Sequence, residues 1–214
     1  SERGHQVVAC YRHSSKDREK NCGQKSNHTD EYINTDSLDL TNKSLNNILD
    51  THEFDCIVNA MGLGRSTYSP TNNIPIPTLD LSEQEWEEIV YLNLKLPIAI
   101  TELARIHKIK KVLHIGSALT ANGMHGTAMA QAYSASKRGL FDYCKYINEM
   151  DVENISIACL APGLVKTKMT EGKGLKMIFK SELEAKTVAL WSAAIIEGDE
   201  MPMTILLPLT SGEN

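Results

Sequence analysis

The chain has 214 residues, of which 42% are hydrophobic and 23% are charged, a composition typical of one soluble globular domain. Its formal net charge of −5 argues against electrostatic binding of nucleic acid. No apolar run has the length of a membrane span and the first ten residues have no signal-peptide pattern, so we expect a cytoplasmic protein without membrane association. The five cysteines are scattered, and neither a disulfide framework nor a metal site is expected.

Five short apolar, β-branched runs predict buried strands. They are residues 6–10, 54–59, 110–116, 155–162 and 203–209. Helical patterns lie between them at about 42–50, 82–108, 130–150 and 181–197. The polar segment 10–31 and the Pro-rich segment 64–83 are predicted to be loops. The alternation predicts a single α/β domain over residues 1–214, with a doubly wound parallel sheet that binds ligands beyond the carboxyl ends of its strands.

The run "QAYSASKRGL" at 131–140 places Tyr133 and Lys137 four positions apart, which puts both side chains on one face of a helix. A nearby ammonium favours the phenolate and lowers the pKa of a tyrosine from its usual value of about 10. The chain has a second pair with this spacing, Tyr91 and Lys95. Spacing alone therefore does not decide which pair is functional.

Small and polar residues follow three of the predicted strands and should meet at one edge of the sheet. These segments are "VNAMG" 58–62, "HIGSA" 114–118 and "LAPGLVKTKM" 160–169. The run "YSASK" opens the helix between the last two. In this order and with these spacings, the sequence resembles the short-chain dehydrogenase/reductase family from about residue 4 to residue 208.

The resemblance implies an enzyme that interconverts a carbonyl and an alcohol by hydride transfer with a nicotinamide cofactor. Tyr133 would be the proton donor or acceptor, and Lys137 would lower its pKa and hold the nicotinamide ribose. Ser117 would hydrogen-bond the substrate oxygen. Residues 120–126 look like an insertion relative to the family, so Thr120 is an alternative hydroxyl for that role.

Asn93 lies inside the predicted long helix, where asparagine is mildly unfavourable. Pro97 cannot donate to the Asn93 carbonyl, so we expect a free carbonyl and a local distortion of the helix. In the family, the matching asparagine holds a water that relays protons to the lysine. By this reasoning Tyr91 and Lys95 belong to the scaffold, and Tyr133 and Lys137 form the catalytic pair.

The resemblance also implies a set of cofactor-binding residues. In "NAMG" they are Asn59, Ala60 and Gly62, in "DLT" Asp39 and Leu40, and in "PGLVKT" Pro162, Gly163, Val165 and Thr167. Tyr133 and Lys137 belong to the set as well, and residues 167–179 would form a mobile lid. Arg12 replaces the acidic residue that binds a ribose 2′-hydroxyl, so either it is an exposed loop arginine or it favours a 2′-phosphate together with Ser14, Ser15 and Lys16. The second interpretation predicts a preference for NADP(H) over NAD(H).

The family's first strand and Gly-rich turn have no counterpart in residues 1–214. We therefore expect that these residues alone are not a stable cofactor-binding domain, and that an N-terminal βα segment, preceding these residues or supplied by another chain, completes the sheet. The resemblance implies a homodimer or homotetramer. The missing turn leaves one alternative function open, a non-catalytic member of the fold that senses the cofactor or only dimerises.

Overall fold

The computed structural model describes only part of the chain. The described residues are 5–11, 31–34, 42–64, 81–118, 131–150, 155–167, 170, 182–199, 201–202 and 204–206. Contacts between residues divide the chain into two compact units, Ser1–Thr51 and His52–Asn214. Each unit is described by itself.

The first unit contains strand β1 (Val8–Tyr11), strand β2 (Glu31–Asn34) and helix α1 (Asn42–Thr51). β1 and β2 pair in parallel, with Val8 opposite Glu31. The strand predicted at 6–10 and the helix predicted at 42–50 are confirmed. β2 was not predicted, because a single apolar pair between polar residues is too short a pattern to indicate a strand.

The second unit holds the other elements. Its strands are β3 (Cys56–Asn59), β4 (Lys111–Ile115), β5 (Ser156–Ala161), β6 (Val165–Lys166), β7 (Leu183–Glu184) and β8 (Thr204–Leu206). Its helices are α2 (Glu83–Val90), a π-helix (Tyr91–Lys95), α3 (Leu96–Ile106), α4 (Gln131–Glu149) and α5 (Ala185–Glu197). A parallel sheet has the order β3-β4-β5-β8, and β6 and β7 form a separate parallel pair. Parallel strands joined by helices confirm the predicted α/β class.

The core of the second unit forms where the strands are continuously apolar. Leu113 of β4 and Ala158 and Leu160 of β5 are fully buried and pack with Ile195 of α5. At the amino end of β5, the amide of Asn148 accepts from the Ile157 N–H at 3.1 Å and donates to the Ile157 carbonyl at 2.6 Å. This side chain satisfies backbone groups that a neighbouring strand would otherwise have to pair.

The predicted helix at 82–108 is interrupted. Its first segment, α2, follows the N-cap residue Ser82, which forms a reciprocal pair of hydrogen bonds with Glu85. At its centre the Leu96 N–H bonds to the Tyr91 carbonyl, five residues back, and Pro97 lies in the first turn of α3. The π-helix confirms the predicted distortion, since proline has no N–H to continue the regular ladder.

The helix predicted at 181–197 begins later than expected. Leu183 and Glu184 pair with Val165 and Lys166 as β7 and β6, so α5 starts at Ala185. Strand pairing takes precedence over helix propensity in these two residues. Over the part of the chain that the structure describes, no helix is both long enough and apolar enough to cross a bilayer.

Candidate active site

The carboxyl ends of β3, β4 and β5 lie side by side, as the sequence predicts. Asn59 is in register with His114, and His114 with Cys159. Beyond β4 the ladder continues through two further bonds, from the Gly116 N–H to the Leu160 carbonyl and from the Ala118 N–H to the Pro162 carbonyl. The residues that follow these strands therefore meet at one edge of the sheet.

Ser117 projects at this edge and is 7% exposed. Its neighbour Gly116 has no room for a side chain, because an added Cβ would lie 2.6 Å from the Cys159 Sγ. The side chains of Ser117 and Tyr133 are hydrogen-bonded. Of the two hydroxyls left open by the sequence, Thr120 lies outside the described residues, and Ser117 is the one seen beside the tyrosine.

Tyr133 lies in the first turn of α4 and is partly exposed. Removal from water raises its pKa, and the hydrogen bond with Ser117 opposes that rise. The expectation that Lys137 brings the pKa of Tyr133 below its usual value is wrong for the structure as it stands. Desolvation of the phenolate is the largest influence, and it acts in the opposite direction.

Lys137 is 3% exposed, one turn further along the same helix. Its Nζ donates to the Ile115 carbonyl at 2.7 Å, so the ammonium lies against the end of β4. Burial lowers the pKa of Lys137 to about 8. An ammonium with this pKa can exchange a proton near neutral pH, which a solvent-exposed lysine does much less readily.

Gly62 lies between Lys137 and Asn93. An added Cβ would be 3.3 Å from the Lys137 Nζ and 3.2 Å from the Asn93 Oδ1. A side chain at this residue would crowd both groups, so glycine suits the close approach of the turn after β3. Within the same turn, Asn59 is buried and Ala60 is exposed.

Asn93 is completely buried, whereas an asparagine in a helix usually faces solvent. Its Oδ1 accepts from the Leu63 N–H and its Nδ2 donates to the Leu63 carbonyl, both at 2.8 Å. The π-helix that carries it packs closely on α4, where an added Cβ at Gly139 would lie 3.2 Å from a Leu94 methyl. The Asn93 amide thus fixes the backbone of the turn beside Lys137.

The segment after β5 contributes the remaining described candidates. Pro162 is buried and its carbonyl accepts from the Ala118 N–H, Gly163 is partly buried, and Val165 pairs in β6. Thr167 is exposed, and its N–H donates to the Thr170 Oγ1 at 3.0 Å. Arg12, Asp39, Leu40 and most of the predicted lid at 167–179 lie outside the described residues.

Sequence reasoning missed a buried polar residue behind the site. His114 is 0% exposed, and its ring nitrogens contact Asn59 and Thr101. Burial, helped by the charge of Lys137, lowers the pKa of His114 to about 3. The available signal was a histidine inside the apolar run "KKVLHIG", since a buried polar group needs partners.

Comparison with known proteins agrees with this geometry. The family model for short chain dehydrogenase matches residues 1–177. Among curated relatives, the 3-oxoacyl-[acyl-carrier-protein] reductase FabG of Thermotoga maritima is 26% identical over 122 residues, which are 55% of this chain and 45% of that protein. The 2-dehydro-3-deoxy-D-gluconate 5-dehydrogenase of Bacillus subtilis is 30% identical over 97 residues, 43% of this chain and 37% of that protein. The matches thus span about half of these relatives or less.

Solved structures share the fold at low identity. Serine dehydrogenase from Escherichia coli has a TM-score of 0.68 at 17% identity, over 99% of this chain and 90% of that one. 4-Hydroxyisoleucine dehydrogenase complexed with NADH has a TM-score of 0.70 at 19% identity, over 99% and 91% of the two chains. Since the family match covers most of the chain, the protein belongs to the short-chain dehydrogenase family.

Proposed function

We propose that the protein is an oxidoreductase that interconverts a carbonyl and an alcohol with a nicotinamide cofactor. The observation that carries the proposal is the convergence of a tyrosine, a serine and a buried ammonium at the carboxyl ends of parallel strands. Tyr133 is hydrogen-bonded to Ser117, and Lys137 lies one helical turn away, against the end of β4. Family membership and the names of the relatives support the same reaction class.

The residues at this edge fit a nicotinamide dinucleotide. Within the described part of the chain, the hydrogen bond of the Lys137 Nζ goes to the Ile115 carbonyl, which leaves two of its three N–H groups for a ligand such as a ribose. Gly62 keeps the adjacent turn free of a side chain, so backbone can approach a bound molecule. When bound, the cofactor supplies or accepts the hydride.

In the proposed reduction, Tyr133 gives its hydroxyl proton to the substrate carbonyl oxygen, and in oxidation it takes the proton from the alcohol. Ser117 donates a hydrogen bond to the same oxygen as negative charge develops there. Lys137 stabilises the resulting phenolate by its charge. Its lowered pKa, about 8, also suits it to pass protons onward.

The proton path continues, in this proposal, to Asn93. Pro97 lacks the N–H that would bond the Asn93 carbonyl in a regular α-helix, and the π-helix begins just before it. That carbonyl is proposed to hold a water that relays protons to Lys137. The side-chain amide of Asn93 has the separate task of fixing Leu63.

The preference for NADP(H) over NAD(H) is proposed from Arg12 and the hydroxyl and ammonium groups that follow it. Structurally similar proteins include serine dehydrogenase complexed with NADP+ and 4-hydroxyisoleucine dehydrogenase complexed with NADH. They support a nicotinamide dinucleotide of either kind, so Arg12 and the groups that follow it carry the preference. Dissociation constants of NADPH and NADH should differ in the wild type, and Arg12→Asp should reverse their order; equal constants in the wild type would contradict the preference.

The reaction is tested by following NADPH absorbance with a 3-oxoacyl thioester and a keto-sugar acid, the substrate classes in the relatives' names. We expect turnover of at least one carbonyl compound and its loss in Tyr133→Phe. Cofactor binding without turnover of any carbonyl compound or alcohol would favour the non-catalytic alternative. Absence of both binding and turnover would contradict the proposal.

A further inference from the structure

A chain of hydrogen bonds runs behind the candidate site, through three buried side chains that take no part in the proposed proton transfer. The Asn59 Nδ2 lies 3.1 Å from the His114 Nδ1, and the His114 Nε2 lies 2.9 Å from the Thr101 Oγ1. The Thr101 hydroxyl also lies 3.2 Å from the Pro97 carbonyl. At the other end, the Asn59 Oδ1 lies 3.1 Å from the Met61 amide nitrogen. Asn59, Thr101 and His114 are each no more than 4% exposed.

The Met61 N–H fixes the orientation of the Asn59 amide, and the bonds at the Thr101 end agree with the direction that follows from it. The Pro97 carbonyl can only accept, so the Thr101 hydroxyl donates to it and its oxygen accepts from the His114 Nε2–H. In a neutral imidazole the Nδ1 is then an acceptor, and the Asn59 amide nitrogen must donate to it. This orientation turns the Asn59 oxygen toward the Met61 N–H, which can only donate. All four bonds are consistent with one tautomer.

The opposite tautomer breaks the chain at the Met61 end. A proton on the His114 Nδ1 would require the Asn59 amide to flip, and its NH2 group would then face the Met61 N–H, donor against donor. At the other end the Pro97 carbonyl keeps its helical bond from the Thr101 N–H with either tautomer, so that end does not discriminate. Buried polar groups without partners are costly, so the Met61 N–H selects the Nε2–H form.

The elements joined in this way are the ones that hold the candidate site. Met61 belongs to the turn in which Gly62 approaches Lys137, and Pro97 lies in the first turn of α3, directly after the π-helix that carries Asn93. We propose that His114 is a positioning residue, whose fixed Nε2–H tautomer braces the turn at 59–62 in the conformation that binds the nicotinamide dinucleotide. The inference rests on the proposed function for the identity of the ligand. The tautomer of His114 and the bracing of the turn follow from the hydrogen bonds alone.

The His114 tautomer and the bracing of the turn at 59–62 are tested without cofactor in the full-length protein. Two-bond proton–nitrogen correlation spectra distinguish the imidazole tautomers, and His114→Asn identifies the His114 signals among the seven histidines. We expect the neutral Nε2–H form at pH 7. The isosteric Thr101→Val variant should speed hydrogen exchange of the Met61 amide, and Thr101→Ser, which keeps the hydroxyl, should restore its protection. An Nδ1–H tautomer, or a Met61 amide whose exchange is the same in all three proteins, would overturn the inference.

The effect of this bracing on cofactor binding is tested with the same two variants, Thr101→Val and Thr101→Ser. Thr101→Val should weaken NADPH binding by about fivefold, the order expected for one disrupted buried hydrogen bond, with kcat at saturating NADPH changed less than twofold. Thr101→Ser should bind NADPH like the wild type. An unchanged dissociation constant in Thr101→Val, or a failure of Thr101→Ser to restore it, would overturn the positioning role. A wild type that binds neither NADPH nor NADH would contradict the proposed function, and the tautomer and Met61 exchange would still decide the bracing of the turn.

Discussion

Two tyrosine–lysine pairs with identical spacing occupy different environments in this protein. Lys137 is 3% exposed and bonds to the end of β4, whereas Lys95 is exposed on the π-helix. Tyr133 is hydrogen-bonded to Ser117 at the sheet edge, whereas the Tyr91 carbonyl serves to close the π-helix. Spacing by four places two side chains on one face of a helix, and what that face packs against decides whether they can do chemistry.

The largest expected effect comes from removing one phenolic oxygen in each pair. Tyr133→Phe deletes the proposed proton donor and should lower kcat by about a thousandfold, with the NADPH dissociation constant changed only a few-fold. Tyr91→Phe should keep kcat within about twofold, because that residue is part of the scaffold. Steady-state kinetics on the same substrate checks both. If Tyr133→Phe retained a large share of the wild-type kcat, Tyr133 would not be the proton donor.

A second comparison removes the two ammonium groups. Lys137→Met should lower kcat by about a hundredfold and also weaken NADPH binding, because one group is proposed to serve both the tyrosine and the ribose. The variant should not melt below the wild type, since methionine fills a similar volume without burying a charge. Lys95→Met is the matched control and should leave kinetics and melting temperature near those of the wild type. Equal losses of activity in the two variants would mean that burial does not distinguish the pairs.

A third test compares two asparagine clamps, in each of which one side-chain amide bonds both the N–H and the carbonyl of another residue. Asn93 holds both backbone groups of Leu63 beside the site, and Asn148 holds both groups of Ile157 at the far end of β5. Replacing either with leucine should lower the free energy of unfolding by about 1–3 kcal/mol, because buried backbone groups lose partners. Only Asn93→Leu should raise the NADPH dissociation constant. Denaturant unfolding and cofactor titration separate the two effects, and a loss of cofactor binding in Asn148→Leu would show that the readout reports stability alone.

The last expected effect is on acid stability, and it develops only as the pH is lowered. The folded-state pKa of His114 is about 3, below the ordinary value of 6.5, so between these pH values the unfolded chain takes up a proton that the folded protein does not. Stability is therefore lost as the pH falls, and His114 should account for about 2 kcal/mol of the loss between pH 7 and pH 5. His114→Gln should lose less stability over this interval than the wild type. Equal losses in the two proteins would place the His114 side chain in contact with water.

The α/β class and the meeting of the candidate site's segments at one sheet edge were predictable because both depend on local patterns. Buried parallel strands are continuous apolar runs, and parallel connections bring residues such as Ser117 to one edge. Pro97 likewise predicted the distortion at the π-helix, since a missing N–H acts locally.

The contacts that give the site its electrostatic character could not be predicted in the same way. The Asn93 clamp on Leu63 and the hydrogen bonds of His114 join residues that are distant in sequence. The pKa of Tyr133 had the wrong expected direction because desolvation depends on packing from several elements, and the sequence shows only the neighbouring lysine. Such tertiary contacts become visible only when the strands and helices are assembled.

The proposed role of Lys137 requires an ammonium that is buried at the end of β4 and whose affinity for a proton is reduced by this burial. Protein labelled with ¹³C at the lysine Cε can be titrated by nuclear magnetic resonance, with Lys137→Met identifying the signal. We expect a midpoint near pH 8 for Lys137. A midpoint near the ordinary value of 10.5 would mean that the ammonium is solvated, and would rule out this role.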